Sequence, residues 1–171
     1  IDNYSFSEGD STKTQPFTLY KISEVNIYTD YNSKDTSATE QKKTTFSNFN
    51  LFSKGKLKYK PKAITNAVFI NKGSYFSDIR TTLSTRYLTN LKVFNYPTIR
   101  YTIDPTDSLS QSLIADIYLT QREKFSFGYG IDFTHSNIQD FGISGSLSFG
   151  IRNIFNGAET FEIATRGNIG S

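Results

Sequence analysis

The feature that most constrains the fold is a strict alternation in the segment KFSFGYGIDFTHS, residues 124–136. Every second side chain from Phe125 to Phe133 is large and apolar, and the side chains between them are small or polar. Because successive side chains of a β-strand point to opposite faces, the segment predicts a strand over 125–134 with one apolar and one nearly bare face. Such a strand belongs either to a soluble sheet with a covered core or to a membrane sheet whose apolar side meets lipid.

Two later segments repeat this pattern. In 141–152 large apolar residues alternate with serine and glycine, and a similar alternation runs through 160–169. Strands of about 9 to 11 residues are long enough to cross a bilayer at a tilt. Asn156 and Gly157 lie between the two segments and predict a two-residue hairpin turn. The C-terminal part of the chain is therefore predicted to be an antiparallel sheet with one apolar face.

The composition removes several functional classes. The 171 residues include one histidine and no cysteine, and no glycine-rich phosphate loop or paired-carboxylate pattern stands out. His135 has no second histidine with which to bind a metal ion. We therefore expect neither an enzyme nor a cofactor or metal site. The formal charge of +3 is too small to predict a nucleic-acid partner.

The chain also lacks a run of about 20 apolar residues, which is the length of a membrane-spanning helix. A membrane role would therefore have to use strands. Methionine is absent as well, and for that reason we expect a fragment of a longer chain.

The N-terminal part begins with polar and strand-forming segments. Residues 1–16 are polar and rich in turn formers, which predicts a linker or the end of a preceding element. Residues 17–28 predict a strand with an irregularity near Ser23. The polar run 29–56 is interpreted as an exposed insertion. In 54–62 lysine alternates with other residues, which indicates an extended, solvent-facing sheet edge; binding to an anionic lipid or an acidic partner is the alternative.

A short helix is predicted next. Pro61 suits a first helical position. Three apolar residues recur at helical spacing after it, namely Ile64, Ala67 and Val68. Together these residues predict a helix over about 61–70 that ends at the turn 71–73.

A second helix is predicted to begin after Ser77, which is a common N-cap residue. Apolar side chains at spacings of three and four form one stripe, which is interpreted as a core face: Phe76, Ile79, Leu83, Tyr87 and Leu91. Alternating segments at 98–103 and 113–119 predict two more strands. The helix pair must then cover one face of a three-stranded sheet, which is an α+β arrangement.

The order strand, helix, helix, strand, strand resembles a polypeptide-transport-associated (POTRA) domain. In that family a glycine lies between the helices, an aromatic residue and a serine precede the second helix, and a Leu-x-x-Phe sequence leads into the second strand. The matching residues here are Gly73, Tyr75, Ser77, Leu91 and Phe94. We expect a positive φ at Gly73, an amide cap from Ser77, and a helix end held on the sheet by the other two apolar residues. The chain departs from the family at Lys92, where glycine is usual.

The junction with the alternating segments makes the resemblance more specific. In BamA/TamA-like outer-membrane assembly proteins, the last POTRA domain runs directly into the first strand of a transmembrane β-barrel. Residues 17–123 are similar to that barrel-proximal domain, and residues 124–171 are similar to the first three barrel strands. The segment RNIFNGAETFEI resembles the hairpin between barrel strands two and three in the Bacteroidetes group. Three strands cannot close a barrel.

The resemblance implies a location in the bacterial outer membrane, with residues 17–123 in the periplasm. The implied mechanism is strand templating, in which barrel strand one opens laterally and offers unpaired backbone groups to a nascent outer-membrane β-barrel protein. The predicted gate strand comprises Phe125, Phe127, Gly128, Tyr129, Gly130, Ile131 and Phe133. Accessory periplasmic or lipoprotein subunits and outer-membrane lipid are the other implied partners. Two alternatives stay open: a secretion pore of the same superfamily that exports a soluble partner, and a soluble periplasmic binding module.

Overall fold

The computed structural model describes residues 19–32, 41–107, 109, 111–134 and 142–170. The linker predicted at 1–16 lies outside the described residues. Within them the protein is mostly β-sheet, with two helices and two separate sheets. Neither helix in these ranges is long and apolar enough to cross a membrane.

Strands and helices follow one another in a simple order along the described chain. The N-terminal region contains β1 (Lys21–Tyr28), β2 (Lys42–Phe46), β3 (Phe49–Ser53), α1 (Pro61–Thr65), α2 (Asp78–Asn90), β4 (Phe94–Ile103) and β5 (Ser112–Gln121). The C-terminal region contains β6 (Phe125–Thr134), β7 (Gly142–Arg152) and β8 (Thr160–Gly170).

The first five strands form one mixed sheet in the order β2-β3-β1-β5-β4. β1 runs parallel to β3 and to β5, whereas β2 and β4 pair antiparallel at the two edges. Both helices lie between β3 and β4 in the chain. They are part of the long crossover that joins the parallel strands β1 and β5. The β1–β5 register shifts between Ile22 and Glu24, which confirms the predicted irregularity near Ser23.

One face of the mixed sheet carries the core. The central strands contribute fully buried side chains to it: Val25, Ile27, Ala115, Ile117 and Leu119. The helices and the segment after α1 pack on these residues through Ile64, Val68, Ile70 and Leu88. The other face carries a row of stacked rings, from Phe52 through Tyr28 to Tyr118. Large side chains therefore lie on both faces of the mixed sheet, aliphatic on one and aromatic on the other. The helices cover only the aliphatic face.

The predicted exposed insertion at 29–56 is wrong over residues 42–53. These residues form the β2–β3 hairpin, which extends the sheet from the predicted three strands to five. Within β3, Phe49, Leu51 and Ser53 are all buried. Their alternation spans only five residues at the end of a long polar run, and such a short pattern does not stand out as a strand.

The lysine-rich segment 54–62 is not an edge strand, because the two edges of the mixed sheet are β2 and β4. Residues 54–60 form a loop between β3 and α1. Tyr59 holds this loop on the core: it is 5% exposed, and its ring centroid lies 5.0 Å from that of Phe94. Burial and the nearby Asp30 carboxylate raise the pKa of Tyr59 to about 12. Lys56, Lys58 and Lys60 are thus exposed on a loop that one aromatic side chain anchors to the core.

Helix α1 is shorter than predicted. Pro61 is at the start of the helix, but the helix ends at Thr65. Ala67 and Val68 are buried in the segment that follows the helix. Helical spacing therefore identified buried residues, but it extended the helix past its end.

The predicted apolar stripe of α2 is not its core face. Ile79 is 74% exposed, and Tyr87 is also exposed, whereas the buried side chains of the helix are Ser84 and Leu88. Ser84 is tolerated there because its hydroxyl donates to a helix carbonyl oxygen at 2.7 Å and accepts the Phe69 N–H at 2.9 Å. The spacing of apolar residues cannot reveal a buried face that depends on a serine.

The three C-terminal strands form a separate antiparallel sheet in the order β6-β7-β8. The pairing of β6 with β7 and of β7 with β8 runs along each described strand without a register shift. The strands predicted at 125–134, 141–152 and 160–169 are confirmed to within one residue at each end. The glycines of these strands therefore mark no bulge in the described pairing.

Candidate functional site

The C-terminal sheet has two chemically different faces. All five large side chains of β6 lie exposed on one face: Phe125 (56%), Phe127 (70%), Tyr129 (80%), Ile131 (65%) and Phe133 (71%). Cross-strand neighbours on β7 and β8 continue this surface with Ile143, Leu147, Phe149, Phe161 and Ile163, which are exposed as well. We call this surface the apolar face. Monomeric soluble proteins rarely expose a contiguous apolar patch that runs across three strands.

The opposite surface, which we call the small face, is built from glycine, serine and a few charged residues. A Cβ atom at Gly128 would lie 2.6 Å from Ser148 Oγ, and one at Gly130 would lie 2.7 Å from Ser146 Oγ. Both distances are shorter than real Cβ contacts. A side chain at either position would therefore force the facing serine hydroxyl to move, and glycine lets that serine pack directly over the strand.

One ion pair crosses the small face. Arg166 Nη2 on β8 lies 2.8 Å from Asp132 Oδ2 on β6, and both side chains are more than half exposed. Because β7 lies between these strands, the pair joins the two outer strands over the middle one. An exposed ion pair contributes little to stability, but charged and hydroxyl groups on one face are typical of a surface that meets water.

β6 forms one edge of the C-terminal sheet. Among the described residues it pairs with β7 alone. The N–H and C=O groups on its other side are therefore directed away from the sheet and can pair with another strand. All predicted gate residues lie on this edge strand.

The connection between β7 and β8 is longer than the predicted two-residue turn at Asn156 and Gly157. Arg152 pairs with Thr160, so seven residues, 153–159, form the connection. A two-residue hairpin would need strand pairing to continue up to the asparagine. Here the chain instead leaves the sheet after Arg152 and forms a larger loop, which we call the β7–β8 loop.

Glu159 organises the β7–β8 loop. Its carboxylate accepts the Phe155 N–H, and its carbonyl oxygen accepts the Asn153 N–H at 2.6 Å. A Cβ at Gly157 would lie 2.8 Å from Glu159 Oε2, so the glycine makes room for the carboxylate. Asn156 has a φ of 60°, a left-handed conformation that asparagine adopts more readily than most residues. The Asn-Gly pair therefore does not form a tight hairpin turn. Asn156 supplies a left-handed backbone, and Gly157 leaves space for the Glu159 carboxylate.

The Glu159 carboxyl is held in its charged form. Its burial raises its pKa, but N–H donors of the loop, including those of Phe155 and Gly157, and the nearby Lys60 ammonium together lower it more. The net direction of the pKa is downward. The loop geometry is therefore linked to the ionised carboxylate.

The β7–β8 loop docks on the N-terminal region. The Lys60 N–H donates to the Asn156 carbonyl oxygen at 2.6 Å, and Asn153 Nδ2 donates to the Lys58 carbonyl oxygen at 3.0 Å. Ala158 is 4% exposed and belongs to the buried cluster that contains the mixed-sheet core. The two sheets are therefore joined by a specific contact as well as by the chain between β5 and β6.

No pattern in the sequence marks Asn153, Ala158 or Glu159 as parts of an interface. The only signal for them was the presence of two asparagines in a short segment, because asparagine tolerates positive φ. Their φ values and partners depend on the lysine-rich loop, which is almost one hundred residues earlier in the chain. A contact between residues so far apart in sequence produces no periodicity or motif within either segment.

The first residues of the predicted POTRA signature lie between the helices and at the start of α2. Gly73 has a φ of 83°, the conformation for which a glycine was expected. Tyr75 is 61% exposed, and its backbone forms an isolated bridge with Lys21. Ser77 is the N-cap residue of α2, but its side chain makes no cap hydrogen bond. The expected amide cap from Ser77 is therefore wrong, although the helix begins where it was predicted.

The remaining signature residues lie where α2 meets the sheet. Phe94 is fully buried, and Leu91 packs at the margin of the core. Lys92 has a φ of 58°, so a lysine adopts the left-handed conformation that the family's glycine would supply. A residue with a Cβ pays roughly 1 to 2 kcal/mol for this conformation. The chain therefore keeps the left-handed backbone at this point without the usual residue.

Neither a protein-family model nor a curated protein matches the chain. Solved structures do match it. BamA from Haemophilus ducreyi lacking POTRA domains 1–3 matches with a TM-score of 0.42 and 9% identity, over 75% of this chain and 26% of that chain. CdiB from Acinetobacter baumannii matches with a TM-score of 0.49 and 10% identity, over 96% of this chain and 41% of that chain. The chain thus spans less than half the length of either protein.

Proposed function

We propose that this chain is part of a BamA/TamA-like outer-membrane β-barrel assembly protein. In this proposal residues 17–123 are the barrel-proximal POTRA domain in the periplasm, and residues 124–171 are the first three strands of the transmembrane barrel. The protein inserts nascent outer-membrane β-barrel proteins by strand templating, with β6 as the strand that opens and pairs with the substrate.

The apolar face of the C-terminal sheet is the observation that carries the proposal. Removing a large apolar side chain from water stabilises a protein by about 1.5 to 3 kcal/mol, and β6 alone exposes five such side chains. Lipid hydrocarbon would cover all of them at once. The strands are 10 or 11 residues long, and a tilted strand needs about 9 to 11 residues to cross a bilayer.

The small face supports the barrel assignment from the other side of the sheet. Transmembrane barrels alternate lipid-facing apolar residues with lumen-facing polar or small residues. The serines, the glycines and the Asp132–Arg166 pair all lie on the face that would line the lumen.

The free edge of β6 supports the gate role. A strand in lipid cannot leave backbone N–H and C=O groups unpaired, so a substrate strand gains stability by pairing with an edge that offers such groups. Gly128 and Gly130 present no side chain, and little packing has to be broken when the partner of this strand changes. The gate role rests on these two properties of β6.

The order of elements in the mixed sheet supports the POTRA assignment. β1, α1, α2, β4 and β5 follow one another, and β5 lies between β1 and β4 in the sheet. The β2–β3 hairpin is added on the outer side of β1, and it is an insertion relative to the strand-helix-helix-strand-strand pattern. Accessory subunits would pair with the open edge of β4 in this proposal.

Capture of a substrate strand by disulfide formation tests the proposal. These 171 residues contain no cysteine, so Ser126→Cys on β6 introduces the single thiol of this region. A substrate β-barrel protein with one cysteine in its terminal strand is then assembled by the natural full-length protein in lipid vesicles. We expect a disulfide between the two proteins, because paired strands bring Cα atoms within the roughly 4 to 7 Å that a disulfide requires.

Ser148→Cys on β7 is the matched control. Ser148 lies on the same face as Ser126, but both edges of β7 are occupied by β6 and β8. We expect no capture from this position. Equal capture at both positions, or substrate assembly without capture at Ser126, would contradict templating by β6. Export of a soluble partner without any captured barrel would favour the secretion-pore alternative.

A further inference from the structure

A cleft with a volume of about 370 Å³ opens where the mixed sheet meets the β7–β8 loop. Eight residues line it, and most of the lining surface is apolar; three of the eight are lysines, namely Lys42 from β2, and Lys56 and Lys60 from the loop before α1. Tyr59 and Asn156 form other parts of its wall. Two distant parts of the chain therefore create a basic cleft at the junction of the two sheets, and strand templating makes no use of it.

The lysines of the cleft belong to a strongly basic stretch. Residues 41–77 contain eight lysines and no aspartate or glutamate. Within the described residues Lys42 and Lys56 form no ion pair. Tyr59 anchors the loop that carries Lys56 and Lys60, and it thereby holds these two residues at the cleft together with Lys42 of β2.

Two carboxylates lie near the cleft, and both have other partners. Glu159 accepts the Phe155 N–H within its own loop, although its charge is also felt by Lys60. Asp30 accepts the Lys54 N–H at 2.7 Å. Backbone N–H groups do not neutralise these carboxylates, so three lysines against two carboxylates leave a net excess of one positive charge that an anion can neutralise.

The surroundings of the cleft are those of a membrane surface. Asn156 belongs to the loop that follows β7, and Ile151 is the last apolar-face residue before that loop. Ile154 and Phe155 in the same loop are 38% and 73% exposed. Exposed apolar and aromatic side chains beside lysines are typical of a membrane–water interface. Ile154 and Phe155 precede Asn156 in the loop, so their side chains lie near the cleft although they are not part of its lining. A soluble anion has no group that would contact them, whereas a lipid carries an acyl chain next to its charged group.

We propose that the cleft binds the phosphate-bearing headgroup of an anionic membrane lipid. The three lysines neutralise the phosphate, and Ile154 and Phe155 contact the glycerol and acyl part of the same molecule. This inference rests on the proposed membrane location of the C-terminal sheet. A lipid bound there contacts both the β7–β8 loop and the mixed sheet, and it thereby fixes the orientation of the N-terminal region relative to the membrane.

Native mass spectrometry of the natural full-length protein tests the proposal. The chain is released from detergent micelles that contain equal amounts of phosphatidylglycerol and phosphatidylcholine, and the retained lipid is identified. We expect at least about fivefold preferential retention of phosphatidylglycerol, because one basic side chain near an anionic lipid contributes about 1 kcal/mol, which is fivefold in affinity. The variant K42Q/K56Q/K60Q should lose this preference.

The variant K21Q/K72Q/K92Q is the matched control, since it removes the same charge from exposed lysines outside the cleft. It should keep the preference, and an equal loss in both triple variants would overturn the site. Displacement of the lipid by an equal concentration of inorganic phosphate would assign the cleft to a soluble anion and overturn the lipid proposal. Vesicle flotation separates the two proposals: failure to enter vesicles contradicts the membrane location, whereas entry without headgroup preference contradicts only the cleft.

Discussion

The mixed sheet and the C-terminal sheet use the same alternation of side chains and solve the problem of their apolar faces in opposite ways. In the mixed sheet Val25 and Ile117 are fully buried beneath the helices. In the C-terminal sheet Phe127 and Tyr129 are 70% and 80% exposed, and no helix among the described residues covers them. Alternation therefore specifies a strand with two unlike faces, but it does not specify what covers the apolar one.

Each sheet also has a face opposite the one just compared, and these opposite faces differ strongly between the two sheets. The uncovered face of the mixed sheet carries large rings such as Tyr28 and Tyr118, whose centroids are 4.9 Å apart. The small face of the C-terminal sheet carries glycine and serine in direct cross-strand contact. A sheet in water can expose aromatic rings on its outer side, whereas a narrow lumen favours small side chains. The residues opposite the apolar ones are thus the better indicator of a barrel strand.

The largest effect is expected from Phe94→Ala, which tests the buried side of this comparison. Phe94 is fully buried and packs on Tyr59, so the substitution leaves a cavity in the core. We expect a loss of about 3 to 5 kcal/mol in the free energy of unfolding. Chemical denaturation in detergent, followed by circular dichroism, measures this loss.

Phe127→Ala is the control for Phe94→Ala, because it removes the same atoms from an exposed position. It creates no cavity in the protein, and its effect should be clearly smaller. Equal losses for the two variants would mean that Phe127 is packed against protein, and the contrast between the sheets would then fail.

A smaller effect is expected from Leu147→Arg, which tests the exposed side of the comparison. Leu147 lies on the apolar face in the middle of β7, opposite Tyr129. Placing arginine on the lipid face near the middle of a barrel strand should cost about 2 to 4 kcal/mol of stability in a bilayer. Refolding of the natural full-length protein into lipid vesicles at a series of denaturant concentrations measures this cost.

Ser148→Arg provides the matched position, because it is one residue away on the opposite face at nearly the same depth. A lumen-facing arginine remains in contact with water and should be tolerated better. If both arginines were equally costly, or equally harmless, the assignment of the two faces to lipid and lumen would be wrong.

The C-terminal strands could be predicted from the sequence because their period-two alternation continues over ten or more residues. The β2–β3 hairpin could not, because β3 offers only five residues of alternation after a polar run. A strand can thus be predicted from alternation only when the alternation continues over enough residues. The five-stranded sheet was underestimated for this reason.

The remaining errors have a different cause. The core face of α2 includes Ser84, whose burial depends on the Phe69 N–H from another segment. The β7–β8 loop depends on Lys58 and Lys60, which are far away in sequence. Such features are stabilised by polar groups that meet only after the chain has folded. Apolar periodicity carries no information about them.

The smallest effect is expected from Glu159→Gln, which tests whether the β7–β8 loop links the two sheets through a charged carboxylate. The folded pKa of Glu159 is lowered from its ordinary value of 4.5. The ionised Glu159 carboxylate therefore stabilises the folded protein fully at pH values above about 4.5. This stabilisation is lost as the pH falls through the lower pKa of the folded state. The contribution should be below about 1 kcal/mol, because solvent screens a carboxylate this close to the surface.

Melting temperatures of the wild type and of Glu159→Gln, measured between about pH 7 and pH 3, provide the test. We expect the wild type to be the more stable protein near pH 7, and the difference should shrink as the pH falls toward the acidic end of the series. Glu123→Gln removes an exposed carboxylate that lies outside the loop, and it is measured in parallel as the control. A difference for Glu159→Gln that persists unchanged at low pH would mean that the loop depends on the shape of this side chain and not on its charge. The contact between the covered and the uncovered sheet would then be a packing contact alone.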